Sequence, residues 1–208
     1  MTQLPELPLT LSRQEIRKMI RQRRRALTPE QQQEMGQQAA TRMMTYPPVV
    51  MAHTVAVFLS FDGELDTQPL IEQLWRAGKR VYLPVLHPFS AGNLLFLNYH
   101  PQSELVMNKL KIHEPKLDVR DVRPLSRLDV LITPLVAFDE YGQRLGMGGG
   151  FYDRTLQNWQ HYKMQPVGYA HDCQLVEKLP VEEWISHCLR WLHRRKSGSG
   201  KGDTPASP

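Results

Sequence analysis

The stretch from Thr54 to Pro84 constrains the fold most. Thr54-Val-Ala-Val-Phe-Leu59 is apolar without a polar break and too short for a helix, so it reads as a strand buried on both faces. Asp66–Ala77 has helical periodicity and stops at Gly78, and Arg80-Val-Tyr-Leu-Pro84 reads as the next strand. A helix between two strands rules out a hairpin and calls for a parallel pair with a crossover. Further strands are expected at Asn93–Tyr99, Leu128–Thr133 and Gln165–Ala170, with a helix at Asp153–His161 and mainly loop over 101–127. The fold class is α/β: a layered, mainly parallel sheet with helices on both faces.

Two helices precede this unit. Ser12 and Glu15 have the spacing of a capping box. Ile16, Met19, Ile20 and Ala26-Leu27 form an apolar stripe, and Lys18, Arg21, Arg23, Arg24 and Arg25 read as a solvated face. Thr28-Pro29-Glu30 starts a second helix over 29–45, ending before Pro47-Pro48. The 208-residue chain divides into an irregular N-terminus (1–11), one Rossmann-like domain (12–185) and an atypical basic tail (186–208), expected to be disordered, whose end KSGSGKGDTPASP is of low complexity.

The net charge of +5 is unevenly placed. Arg13–Arg25 holds seven basic residues against Glu15, and Cys188–Pro208 holds five against Asp203. The remainder is net acidic, so a basic face for nucleic acid is not expected. No apolar run approaches the roughly 20 residues of a membrane span. The start of the chain lacks the basic and apolar regions of a secretory leader. Cys173 and Cys188 alone make no disulfide framework, and no cysteine or histidine cluster suggests structural zinc. These features lead us to expect a soluble, cytoplasmic protein without a membrane partner.

The most informative stretch is TPLVAFDEYGQRLGMGGGFYDRTL, Thr133 to Leu156. Gly146, Gly148, Gly149 and Gly150 lie between a buried strand and a helix start. Glycines allow positive φ and let backbone N–H groups approach an anion, and a helix start favours phosphate. Arg144 can neutralise phosphate charge, and Asp153 is placed to meet a phosphate-bound Mg²⁺. The run is neither a Walker A loop nor a dinucleotide fingerprint. An ordinary turn remains the alternative on glycine content alone.

The string FDEYGQRLGMGGGFYDRTL resembles the motif of the 5-formyltetrahydrofolate cyclo-ligase (5,10-methenyltetrahydrofolate synthetase) family, FD-x-x-G-x-R-L-G-x-G-x-G-Y-Y-D, with Phe151 for the first Tyr. Arg13-Gln-Glu-Ile-Arg17 is similar to its K-x-x-L-R block, with Arg for Lys. Phe58-Leu-Ser-Phe-Asp-Gly-Glu64 and Lys111-Ile-His-Glu-Pro115 resemble two further blocks, in order, and Gln174 and Leu179-Pro180 also agree. The resemblance covers about residues 12–185. It implies ATP- and Mg²⁺-dependent conversion of 5-formyltetrahydrofolate, or its polyglutamates, to the 5,10-methenyl form with release of ADP and phosphate. The formyl oxygen would be phosphorylated to an iminium phosphate before the ring closes.

The resemblance also implies roles. Arg144 and Tyr152 would be catalytic, and the loop Arg144, Leu145, Gly146, Met147, Gly148, Gly149, Gly150, Phe151 and Tyr152 would cradle the ATP phosphates. Arg13 and Arg17, on one helix face, would reach the nucleotide. Leu59, Phe61, Glu64 and Glu114 would bind the folate, and Asp153 would hold Mg²⁺. Without the resemblance, Arg13 and Arg17 read as solvated face, Glu64 as a cap or surface acid, Phe61 as core and Asp153 as a first-turn acid. Two other functions stay open: a folate- and nucleotide-binding remnant with an impaired C-terminus, and a basic nucleic-acid module.

The C-terminus departs from the family. ISHCLRWLHRRKSGSGKGDTPASP suggests neither a strand nor an amphipathic helix where a final Val-Val-Thr strand belongs. Synonymous codons for His187–Lys201 exist whose next frame encodes Leu-Pro-Ala-Val-Val-Thr-Pro-Ser-Lys-Val-Trp-Glu-Trp and then a stop. A shifted frame is the reading this suggests, with a natural divergent tail as the alternative. Loss of the strand would lower stability or activity.

Overall fold

The computed structural model describes residues 11–180 and the backbone of Arg190–Trp191. Helix α1 (Arg13–Arg25) begins at the expected capping box: Ser12 N donates to Glu15 Oε2 at 2.8 Å and Glu15 N donates to Ser12 Oγ at 3.3 Å. Helix α2 (Pro29–Thr45) begins in the same way at Thr28 and Gln31. Pro47-Pro48 ends it and opens a five-residue helix α3 (Pro47–Met51), since proline suits the first turn of a helix as well as the end of the one before.

The sheet elements follow: β1 (Thr54–Ala56), helix α4 (Gln68–Arg76), β2 (Arg80–Leu86) and β3 (Leu94–Tyr99). A small hairpin, β4 (Leu105–Met107) and β5 (His113–Pro115), precedes β6 (Val122–Arg123) and β7 (Val130–Thr133). A second hairpin, β8 (Ala137–Phe138) and β9 (Arg144–Leu145), leads to helix α5 (Phe151–Leu156), β10 (Gln165–Gly168) and β11 (Arg190–Trp191).

The main sheet has the order β11-β10-β7-β1-β2-β3-β6. The first five strands in that order are parallel, while β3 runs antiparallel between β2 and β6. The mainly parallel α/β fold is thus as expected. β1 is shorter than its apolar run, because Val57 N still donates to Tyr82 O at 2.9 Å but the chain then turns away. The helix expected at Asp153–His161 starts earlier and breaks into α5 and a 3-10 turn at Trp159–His161. β11 lies where the sequence suggested no strand, pairing Arg190 with Val167 and Trp191 with Gly168. The rest of the tail reading, including its altered frame, lies outside the described residues.

Alternation along the strands sorts the core onto two faces. Val55, Val130, Ile132 and Val167 pack with α2 and α4 on one side. Ala56, Tyr82, Leu131 and Phe96 pack with Leu156 of α5 on the other. A third cluster joins Ile16 and Ile20 of α1 to Ala137 and Leu145 of the β8–β9 hairpin, so the first helix braces the segment that carries the glycines.

Arg24 corrects the solvated-face reading of α1. It is fully buried, since it continues the Ile16–Ile20 stripe by one more step of four.

Gly36 lies inside α2 against the chain entering α4. A Cβ there would sit 3.0 Å from Asp66 Cβ and 3.3 Å from Asp66 O. Gly36→Ala gains about 1 kcal/mol of helix propensity, but the crowding costs roughly 1–3 kcal/mol. A lower melting temperature is expected, and an equal or higher one would show that α2 and α4 part without strain.

Candidate active site

A cavity of about 370 Å³ opens beyond the carboxyl ends of β1, β2 and β7, where open α/β sheets receive ligands. The chain leaves β1 toward β2 on one side, and β7 lies on the other. The lining of the cavity has two chemical characters. Phe58, Leu59, Leu83, Leu86, Leu94 and Ile112 are apolar. Glu64, Arg144, Asp153 and the backbone of the glycine loop are polar.

The loop after β1 is stapled in place. Thr67 Oγ1 donates to Phe58 O at 2.7 Å and accepts from Ser60 N at 3.2 Å. The tight turn Phe61–Glu64 closes with Glu64 N donating to Phe61 O at 3.0 Å. Asp62 and Gly63 have φ of 52° and 73°, which the Asp-Gly pair tolerates. This turn tucks the Glu64 carboxyl inward. Glu64 is 6% exposed and lines the cavity; Phe61 N donates to its Oε2 at 3.3 Å. Burial pushes its pKa up to about 7, against the pull of Arg24.

The second wall grows from the β8–β9 hairpin. Asp139 is fully buried and accepts from Tyr141 N and Gln143 N at 3.0 Å through Oδ1, and from Leu179 N at 3.0 Å through Oδ2. This accounts for the Phe-Asp-x-x-Gly pattern: the aspartate ties the hairpin turn together. Gln174 Nε2 donates to Leu135 O and Val136 O at 2.8 and 3.0 Å, fixing the strand exit that leads there.

Arg144 is 4% exposed and ion-paired with Asp153 across the loop. Burial lowers the pKa of its guanidinium, an effect opposed by Asp153. Gly148 and Gly150 have φ of 107° and 68°, which side chains rarely adopt. Arg154 clamps the loop from outside, donating to Gly149 O at 2.6 Å and to Gly92 O at 2.7 Å. Tyr152 turns its hydroxyl into a buried place with no hydrogen-bond partner among the described residues, and burial raises its pKa well above the usual phenol range.

Most of the residues singled out from sequence therefore meet in one place. Leu59, Phe61, Glu64, Glu114, Arg144, Gly146, Met147, Gly149, Gly150, Phe151, Tyr152 and Asp153 all line the cavity. Four do not line it. Leu145 packs its side chain under α1, and Gly148 lies outside the lining. Arg17 sits behind the loop, donating from Nε to Gly146 O at 2.8 Å, and Arg13 lowers the pKa of Arg144 by its charge. Glu114 has one oxygen committed to the scaffold, where Oε2 accepts from Leu86 N at 3.1 Å and Asn108 Nδ2 at 2.8 Å.

The acid expected from the sequence to meet a metal, Asp153, is ion-paired with Arg144, and among the described residues no cluster of three or more His, Cys, Asp or Glu could hold an ion. A lone carboxylate fits Mg²⁺, which commonly takes one or two carboxylates with phosphate and water completing the shell. Asp62, Asp139 and Arg24 are the residues that sequence reasoning missed. The signal for Arg24 is its place on the apolar stripe, while Asp62 and Asp139 lie inside the blocks that resemble the family motifs.

The chain is 98% identical over 166 residues to the 5-formyltetrahydrofolate cyclo-ligase of Escherichia coli (strain K12), covering 80% of this chain and 91% of that one. It is 52% identical over 175 residues to the 5-formyltetrahydrofolate cyclo-ligase of Haemophilus influenzae, covering 84% and 94%. The solved structure of Aquifex aeolicus 5,10-methenyltetrahydrofolate synthetase superposes with a TM-score of 0.74 at 26% identity, over 88% of this chain and 90% of that one. The sequence model of the family matches residues 10–187, a span that includes the cavity and both of its walls, and so this chain belongs to the 5-formyltetrahydrofolate cyclo-ligase family.

Proposed function

We propose that the chain converts 5-formyltetrahydrofolate to 5,10-methenyltetrahydrofolate, with ATP as co-substrate and Mg²⁺ as its metal. The observation that carries this is one cavity whose lining brings apolar side chains and Glu64 together with Arg144, Asp153 and the glycine loop.

The chemistry asks little covalent work of the protein. A formamide oxygen leaves poorly. Transfer of the γ-phosphoryl group to it gives an iminium phosphate. The neighbouring folate nitrogen then attacks the formyl carbon, and the oxygen departs with phosphate. The substrate supplies both nucleophiles, so the protein's task is alignment and charge neutralisation. Leu59 and Phe61 sandwich the pterin, and the Glu64 carboxylate accepts from its N–H groups. Loop N–H groups and Arg144 bind phosphate oxygens, with Arg13 and Arg17 adding positive charge behind them. Asp153 holds Mg²⁺, which supplies charge neutralisation at the phosphates when bound. Tyr152 stays a neutral donor beside the transferring group. α5 has six residues, so the loop N–H groups and arginines, more than a helix dipole, carry the anion.

No helix among the described residues is long and apolar enough to cross a membrane. A near-ultraviolet time course tests the assignment, because the methenyl product is a conjugated cation that the substrate is not. Absorbance is expected to rise only with folate, ATP and Mg²⁺ together. The family match ends at residue 187, where the alternative frame begins. A flat trace from this chain would therefore be repeated on one carrying the alternative C-terminus. Recovery there would assign the loss to the tail, and continued silence would reject the function.

A further inference from the structure

Behind the Phe61–Glu64 turn lies α1, and its residue there is Arg24. A buried guanidinium is unfavourable unless its charge meets an anion. Arg24 donates from one terminal nitrogen to Asp62 O at 3.0 Å and to Asp62 Oδ2 at 3.4 Å. Its other terminal nitrogen faces Glu64 Oε1 at 3.8 Å, too far for a hydrogen bond. Neither that nitrogen nor that oxygen has a hydrogen-bond partner among the described residues. A Cβ on Gly63 would stand 3.5 Å from Arg24 Cβ, so the turn lies flush against the helix. Gln32 Nε2 reinforces the seam, donating to Arg24 O at 3.2 Å and Gly63 O at 3.4 Å.

The other charged and titratable groups around Glu64 are placed differently. Arg21 and Arg25 of α1 pair with Asp62, at 3.7 Å for Arg21. Asp62 itself opposes the charge on Glu64, and Tyr152 faces it as a neutral phenol. His171 is buried beside Arg24 and held neutral, its pKa lowered to about 4 by burial and by that arginine.

We propose that Arg24 is a positioning residue for folate recognition: it pins the Phe61–Glu64 turn through Asp62 and sets a fully buried positive charge opposite the Glu64 carboxylate. The proposal rests on the reading of Glu64 as the acceptor for the pterin. Burial alone would leave Glu64 protonated and unable to accept two N–H groups. Arg24 offsets that burial without touching the substrate.

The test is the dissociation constant of 5-formyltetrahydrofolate between pH 5.5 and 9, measured by calorimetry on the full chain. In the parent chain binding should strengthen as pH rises through the region near 7. In Arg24→Met and Arg24→Gln the midpoint should move up by about one pH unit or more. Binding at pH 7 should then weaken about fivefold or more and recover toward pH 9. Asp62→Asn should move the midpoint the other way, because it removes a like charge and releases Arg24 toward Glu64. An unchanged midpoint in a folded Arg24 variant would overturn the proposal. If both Arg24 variants fail to fold, an unchanged or raised midpoint in Asp62→Asn does the same. Glu64→Gln should abolish the pH step. If the step survives there, the reading of Glu64 has failed, and that result is separate from a failure of Arg24.

Discussion

Arg144→Met is expected to lower kcat/KM by roughly a thousandfold or more, the scale seen when an arginine stabilising a transferring phosphoryl group is removed. The variant should also be less stable. Arg144 is 4% exposed and its partner Asp153 has a side chain 21% exposed. Stranding the carboxylate of a fully buried pair costs about 3–5 kcal/mol. Partial exposure of Asp153 reduces this to roughly 1–3 kcal/mol, a drop of several degrees in Tm for a chain of this size. The double variant Arg144→Met, Asp153→Asn separates the two effects. It removes the stranded charge, so Tm should recover while turnover should not. Turnover within tenfold of the parent in a folded Arg144→Met chain would exclude Arg144 from the phosphoryl group.

Glu64→Gln should do the opposite to stability. A carboxyl whose folded pKa is raised favours the fold below its unfolded value, near 4.5, and that advantage is lost as pH rises through about 7. At pH 8 the buried carboxylate is a burden that the amide lacks. Tm should therefore rise by several degrees at pH 8, on the order of 2–3 kcal/mol, with the gain vanishing toward pH 4.5. Activity should fall by about 10- to 150-fold in kcat/KM, the value of hydrogen bonds to a charged group. A variant that is more stable at pH 8 yet impaired would mark Glu64 as an acid kept for binding. A variant with unchanged Tm at both pH values would show that Glu64 is not desolvated as its burial indicates.

The glycine loop was legible in the sequence because backbone conformation selects residue type directly. Gly148 and Gly150 stand where φ is positive, and few residues other than glycine occupy such positions. The parallel core was legible for a similar reason, since strands buried on both faces are apolar throughout. Glu64 and Glu114 were reachable only through resemblance, because nothing local in Asp-Gly-Glu or His-Glu-Pro says that a cavity lies in front of them. Arg24 was misread because residue type was weighted over position. Its spacing from Ile16 and Ile20 put it on the buried stripe, and only the turn after β1 explains why an arginine belongs there. The antiparallel direction of β3 follows from the connection between Leu86 and Leu94, which is too short for a crossover helix.

The hydrogen bond from Arg17 to the Gly146 carbonyl joins residues 129 positions apart. On the ribosome, at about 5–20 residues per second, the first helix emerges roughly 6–25 s before the loop it braces. The partners of Arg24, in the Phe61–Glu64 turn, follow within about 40 residues, but the apolar stripe must wait for the β8–β9 hairpin. The wall behind Glu64 can therefore form before the glycine loop exists, and the phosphate end of the site is completed last.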